Sequence, residues 1–237
     1  MHRRRRSWLR ALRAAFPQTI PILTSFCFLG LTYGVYMHSA GFSFLYPMFM
    51  SLTVFGGSLE FLLVSLLVGQ FNPVQTILMA FMLQARHLFY GIAMLEQYRS
   101  AGWRRLYLIF GMCDETFSIN CSAKIPEDVE PKDFYLCVTL LNHAYWVVSA
   151  TVGGIVGSML KFDTSGIDFA MTAMFVVILL ERLLQEKVHI SAIIGLFASV
   201  ACLLIFGAEA FLLPSMALIL VLLTVFRKPI EKAGEDA

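Results

Sequence analysis

Residues 42–68 read FSFLYPMFMSLTVFGGSLEFLLVSLLV. Apart from Glu60 the stretch carries no charge. Its apolar residues do not alternate with polar ones as those of a half-buried strand would. A helix needs about 20 apolar residues to cross the hydrocarbon core of a bilayer. The run is long enough, yet Gly56-Gly57-Ser58 and then Glu60 interrupt its middle. Paired glycines let a helix unwind at membrane depth, which is tolerated only where the freed backbone meets protein or a water-filled cavity. The other reading is close helix packing through small residues; the acid beside the glycines favours the break. The fold class follows as an all-α polytopic membrane protein, with some helices broken or re-entrant near mid-membrane.

The rest of the chain agrees. Of its 237 residues 58% are hydrophobic and 14% charged, with a mean hydropathy of +0.74. Soluble domains carry about 25% charged residues, which argues against a water-soluble monomer, and disordered chains show the reverse composition. Apolar runs cover residues 16–37, 42–68, 74–95, 106–122, 134–160, 167–184, 188–207 and 211–226. They predict seven or eight membrane-spanning helices, and the absence of short alternating segments excludes a β-barrel. The organisation expected is a basic N-terminus over 1–15, one transmembrane domain over 16–226 and a short charged tail over 227–237. Pro17 and Pro21 and the lack of an Ala-x-Ala site speak against a cleaved leader.

Arg3 to Arg6, Arg10 and Arg13 flank the first run. Positive residues there hold that end in the cytoplasm. Nucleic-acid binding would need basic and aromatic residues over a broad face, so no nucleic-acid partner is expected. Eight full spans would put Arg99, Arg104 and Arg105 outside, against the positive-inside trend; a broken or re-entrant second or fourth run removes the conflict. Cys27, Cys113, Cys121, Cys137 and Cys202 form no C-x-x-C pair and no zinc spacing. They read as packing residues, with no metal and no cofactor implied. No internal repeat stands out, though an inverted one, the first three runs mirrored by later ones, stays open.

Polar residues at membrane depth are the candidate site. Gly56, Gly57 and Ser58 at the break, with Glu60, are candidates for substrate binding, because broken half-helices aim positive N-termini at anionic groups. Arg86 stands mid-run in Gln84-Ala85-Arg86-His87-Leu88-Phe89-Tyr90-Gly91. An arginine there costs at least about 2.5 kcal/mol on insertion scales, so it faces a cavity or a carboxylate. It is either a substrate ligand or half of an ion pair with Glu60, Asp114 or Glu115. Asp114 and Glu115 are adjacent acids in an apolar run and, with His87, candidates for proton coupling; the bland readings are a hydrated loop and a hydrogen-bonded buried histidine. Gln84, Tyr90, Asn142 and His143 are candidate cavity-lining residues. Arg182 and Glu186 have the spacing of an interfacial salt bridge.

In order along the chain come residues 55–61, Arg86 to Gly91, Gly111 with Asp114-Glu115-Thr116-Phe117, Tyr145-Trp146 with Gly153, Gly154 and Gly157, and Gly166-Ile167-Asp168-Phe169 through Phe175. This ordered set resembles the AzlC family, the large subunits of bacterial branched-chain amino acid exporters. The resemblance implies an exporter of hydrophobic amino acids in the bacterial inner membrane, working with a small AzlD-type membrane subunit and without nucleotide, since no G-x-x-x-x-G-K-[ST] is present. An ion gradient would then drive alternating access, and higher oligomers are compatible with it. Two positions differ from the family's usual residues: Glu60 stands for a glutamine and Gln84 for an asparagine. Two rival readings are a channel or scaffold subunit, and an intramembrane hydrolase using Ser58 with His143 as base.

Overall fold

A computed structural model describes residues 2–69, 72–159, 176, 179–180, 183–184 and 189–227. The described residues are helical wherever they form regular structure, as the apolar runs predict. They divide into two compact units, residues 1–167 and 168–237.

In the first unit, α1 (His2–Ser39) and α7 (Pro131–Met159) are the long helices. They run parallel. Ser7 meets Asp133 near the start of both, Thr19 meets Tyr145, and His38 packs on Gly157 near the end of both. Their seam is made of glycines spaced four apart, Gly30 and Gly34 on α1, Gly153 and Gly157 on α7. Small residues at this spacing let helix backbones approach closely in lipid, where apolar side chains give no hydrophobic drive for association. A Cβ at Gly34 would run into the backbone of Ala150, Gly153 and Gly154, and one at Gly153 into that of Leu31.

The second run is not one helix. It splits into α2 (Leu45–Thr53) and α3 (Ser58–Val68). Phe44 and Pro47 lie on Gly154 near the end of α7, whereas Ser51 reaches His143 halfway down it. Glu60 starts α3 at the same depth, bonded to Trp146, and Ser65 is back at Tyr36 near the end of α1. The pair is a hairpin that enters and leaves on the side of the C-terminal end of α1.

Next, α4 (Pro73–Ala93) returns across, its 21 residues spanning about 31 Å at 1.5 Å per residue. A 3₁₀ turn (Arg99–Arg104) follows. The fourth run is also split, into α5 (Arg105–Phe110) and α6 (Asp114–Ser122). Tyr107 and Thr116 both reach mid-α7, at His143 and Asn142, while Asn120 returns to Tyr98 beside the 3₁₀ turn. This second hairpin enters from the opposite side. Asp133 accepts from both Ser7 and Arg104, and Arg10 pairs with Asp128. The start of α1, the Arg99–Arg104 turn and the 124–133 loop therefore share one side of the unit. The split runs thus remove the topological conflict, since both hairpins turn back. A small core of Ala11, Ala15, Met94, Tyr98, Leu108 and Phe134 closes that side.

The second unit contributes α8 (Ile190–Ala210), kinked at Gly207 with φ +73°, and α9 (Leu212–Val225), which pack on each other. Most of the sixth run, Gly166 to Phe175 and the Arg182–Glu186 pair lie outside the described residues. Three helices among the described residues are long and apolar enough to cross a membrane: Ser7–Ser39, Pro131–Met159 and Ile190–Gly207. These do not confirm the seven or eight spans expected: runs two and four are each two short helices, and most of the sixth run lies outside the described residues.

The glycine seam makes a prediction. Gly34→Leu should destabilise the protein by about 1–3 kcal/mol or more, the cost of overpacking a tight contact. Gly91→Ala, where a Cβ meets open space, should be neutral or slightly stabilising. Thermal unfolding of both variants in detergent measures the difference; equal behaviour would show that the seam is not tightly packed.

Candidate functional site

The two hairpin tips meet α7 at mid-length. At the first, Phe55 has φ +46° and Gly57 φ +44°, a region L residues seldom adopt. The chain can hold this conformation because its freed polar groups find side-chain partners. Gly56 N–H donates to Glu60 Oε1 at 3.0 Å, and Gly56 C=O accepts from Gln84 Nε2 at 3.3 Å. Glu60 Oε1 also accepts from Trp146 Nε1–H at 2.9 Å. The Glu60 side chain has no solvent exposure, and its Oε2 finds no donor among the described residues. Ser58, at the first position of α3, is buried as well.

His143 joins the two hairpins. Its Nε2 lies 3.3 Å from the Ser51 carbonyl and its Nδ1 2.9 Å from the Tyr107 hydroxyl. A carbonyl only accepts, so Nε2 carries the proton; in the neutral ring Nδ1 then accepts from Tyr107. Phe55 covers the ring, centroids 4.6 Å apart. His143 is therefore a cross-brace with both nitrogens engaged, and nothing sets it beside Ser58 as a base.

At the second tip, Gly111 ends α5 against Thr139, and Cys113 Sγ sits 3.1 Å from Thr116 Oγ1. Asn142 Nδ2 donates to Thr116 Oγ1 at 3.0 Å, while its Oδ1, fully buried, finds no donor among the described residues. Asp114 and Glu115 occupy the first turn of α6, where the helix dipole favours negative charge. Of the partners open to Arg86, the structure selects Asp114, at 3.0 Å. This pair ties α4 to the second hairpin, as Gln84 ties it to the first.

Gly56, Gly57, Ser58, Glu60 and Gln84 thus gather around the first tip, Arg86, Asp114, Glu115 and Asn142 around the second, and His143 of mid-α7 bridges the two. His87 and Tyr90 stand along α4 toward α6, His87 edge-on to Tyr90 and Tyr90 stacked on Phe117 at 4.5 Å. Trp146, Thr116 and Tyr107 were not among the candidate residues. Trp146 lies four positions after Asn142, one helical turn along the same face, a spacing that could have flagged it. Among the described residues no group of His, Cys, Asp and Glu is arranged to hold a metal ion.

Trp146→Phe keeps the aromatic bulk but removes one of the two donors to Glu60 Oε1. It should cost about 1–3 kcal/mol, the range for taking one partner from a buried hydrogen bond. Thermal unfolding in detergent tests this, and an unchanged midpoint would show that the indole N–H contributes nothing to the break.

Comparison with known proteins adds a family. The family model described as "AzlC protein" matches residues 21–160. The chain is 54% identical to the "Branched-chain amino acid transport protein AzlC" of Bacillus subtilis (strain 168), over 98% of this chain and 91% of that protein. It is 42% identical to an uncharacterized membrane protein of Haemophilus influenzae, over 91% and 88% of the two chains. A Helicobacter pylori (strain 26695) membrane protein, likewise uncharacterized, is 36% identical over 94% of this chain and 98% of its own. No solved structure matches the chain.

Proposed function

The chain belongs to the AzlC family, and from that premise we propose that it is the large subunit of an exporter of branched-chain or other hydrophobic amino acids. The Bacillus subtilis relative is named a branched-chain amino acid transport protein, which makes transport, not enzymatic catalysis, the activity of this chain. The observation that carries the reading further is the meeting of two broken hairpins on α7. Discontinuous helices entering from opposite sides support a binding position near the midplane that either side can reach, the arrangement alternating access requires.

Chemistry at that position suits a zwitterion with an apolar side chain. Glu60 Oε2, Gln84 Oε1 and Asn142 Oδ1 are buried acceptors without donors among the described residues, and an ammonium group is donor-only. Arg86, when released from Asp114, is an anchor for the carboxylate, because the first-turn N–H groups of Leu59, Glu60 and Phe61 in α3 are already bonded to the Gly56 and Gly57 carbonyls. Phe55, Tyr33 and Phe61 supply an apolar wall. Proton coupling falls to Asp114 and Glu115, in the first turn of α6. The side bearing Arg10, Arg104 and Arg105 is cytoplasmic under the positive-inside rule, in a bacterial inner membrane, and a small AzlD-type subunit completes the transporter.

Efflux of radiolabelled leucine and valine from loaded vesicles tests this, with the chain alone and with an AzlD-type subunit, with and without a proton gradient. Gradient-dependent efflux requiring the second subunit is expected. Arg86→Ala and Asp114→Asn should each abolish it while the folded protein is recovered at normal yield. Absence of efflux of both amino acids, with both subunits in the membrane, would remove hydrophobic amino acids as cargo.

A further inference from the structure

Two pairs of segments in the first unit match in sequence and order. Leu31-Thr32-Tyr33-Gly34-Val35-Tyr36-Met37 on α1 corresponds to Leu88-Phe89-Tyr90-Gly91-Ile92-Ala93-Met94 at the end of α4 and just beyond it. Val54-Phe55-Gly56-Gly57-Ser58-Leu59-Glu60 corresponds to Ile109-Phe110-Gly111-Met112-Cys113-Asp114-Glu115. In each copy a crossing helix is followed by a hairpin that breaks at the Phe-Gly pair. The second half-helix begins beside Ser58 in one and Cys113 in the other, with the glutamate in its first turn.

The ring contacts run in parallel one position out of register: Tyr33 packs on Phe61, the residue after Glu60, centroids 5.3 Å apart, and Tyr90 on Phe117, two residues after Glu115, at 4.5 Å. Met37 and Met94 are both fully buried. Yet α1 and α4 run in opposite senses, and the two hairpins enter from opposite sides. A unit repeated with reversed orientation about a mid-membrane site is the architecture of many secondary transporters.

We propose that residues 31–60 and 88–115 are inverted copies of one unit, and that Glu115 is a second station for a primary ammonium group, reached from the side opposite to Glu60. The ligand class rests on the amino-acid reading above; the repeat does not. Each tip carries its own buried acceptor without a donor among the described residues, Glu60 Oε2 at the first and Asn142 Oδ1 at the second. Asn142 is placed there by its bond to Thr116, the residue after Glu115. A donor-only group completes both tips, and an anion completes neither.

Two measurements on the full chain in vesicles test this. Single thiols at equivalent positions, Ser58→Cys in a background with the five native cysteines replaced, and Cys113 retained alone, are labelled with a membrane-impermeant maleimide from each face. The expected result is labelling of the two from opposite faces; labelling of both from one face overturns the repeat. Leucine KM is then measured from each face for Glu60→Gln and Glu115→Gln, which keep the acceptor oxygen but lose the charge. Each should raise KM by about tenfold or more from its own face, the size expected for loss of one charged hydrogen bond. Unchanged KM from both faces in Glu115→Gln overturns the second station. Leucine that is not carried at all, with labelling still sided, would fault the cargo and leave the repeat standing.

Discussion

Gly56 has its N–H held by Glu60 and its C=O by Gln84. The rest of the unit depends on these two bonds. Lipid offers no partner to an unwound backbone, and each orphaned polar group there costs several kcal/mol. A helix can be broken at that depth only if side chains replace the missing intrahelical bonds. Glu60 does so from within the hairpin, and Gln84 of the next crossing helix adds a second bond to the Gly56 carbonyl, which already accepts from Leu59 N–H at 3.0 Å. Trp146 then fixes the carboxylate from α7, which couples three separate elements at one glycine.

The same logic explains why polar residues lie on α7 where they do. Asn142, His143 and Trp146 occupy successive positions along one stretch of that helix. Each reaches a different partner: Thr116 of the second hairpin, both hairpins through Ser51 and Tyr107, and Glu60. The glycine seam with α1 frees α7 from any need for large side chains on its other side. One helix thus supplies close packing at its C-terminal end and hydrogen bonding at its middle. The proposed function rests on what this bonding leaves over. One Glu60 oxygen secures the break, while the other is buried and unsatisfied among the described residues. That is a poor arrangement for stability alone and a suitable one for receiving a cationic group.

Much of this was legible in the chain. Gly56-Gly57 beside Glu60 marked the first break, because two glycines and an acid have no reason to interrupt a lipid-facing helix. The adjacent acids Asp114 and Glu115 interrupt the fourth apolar run, and it is the other that breaks. The return of each hairpin to its own side was open as one resolution of the arginine placement but was not determined by it. Apolar residues all round a helix carry no signal of direction. The partner of Arg86 was narrowed to three acids and settled only by tertiary structure. The proposed repeat is faint in sequence, because its matching segments are seven residues long and the first halves of the hairpins differ, with nine residues in α2 and six in α5.

The most direct measurement concerns the free oxygen of Glu60. A hydrophobic carbodiimide modifies carboxyl groups at membrane depth, and mass spectrometry reads the extent at Glu60. In purified protein, leucine should slow that modification, while 4-methylpentanoate, which lacks the ammonium, should not. Equal protection by both compounds, or none by either, would contradict a cargo ammonium bound at Glu60.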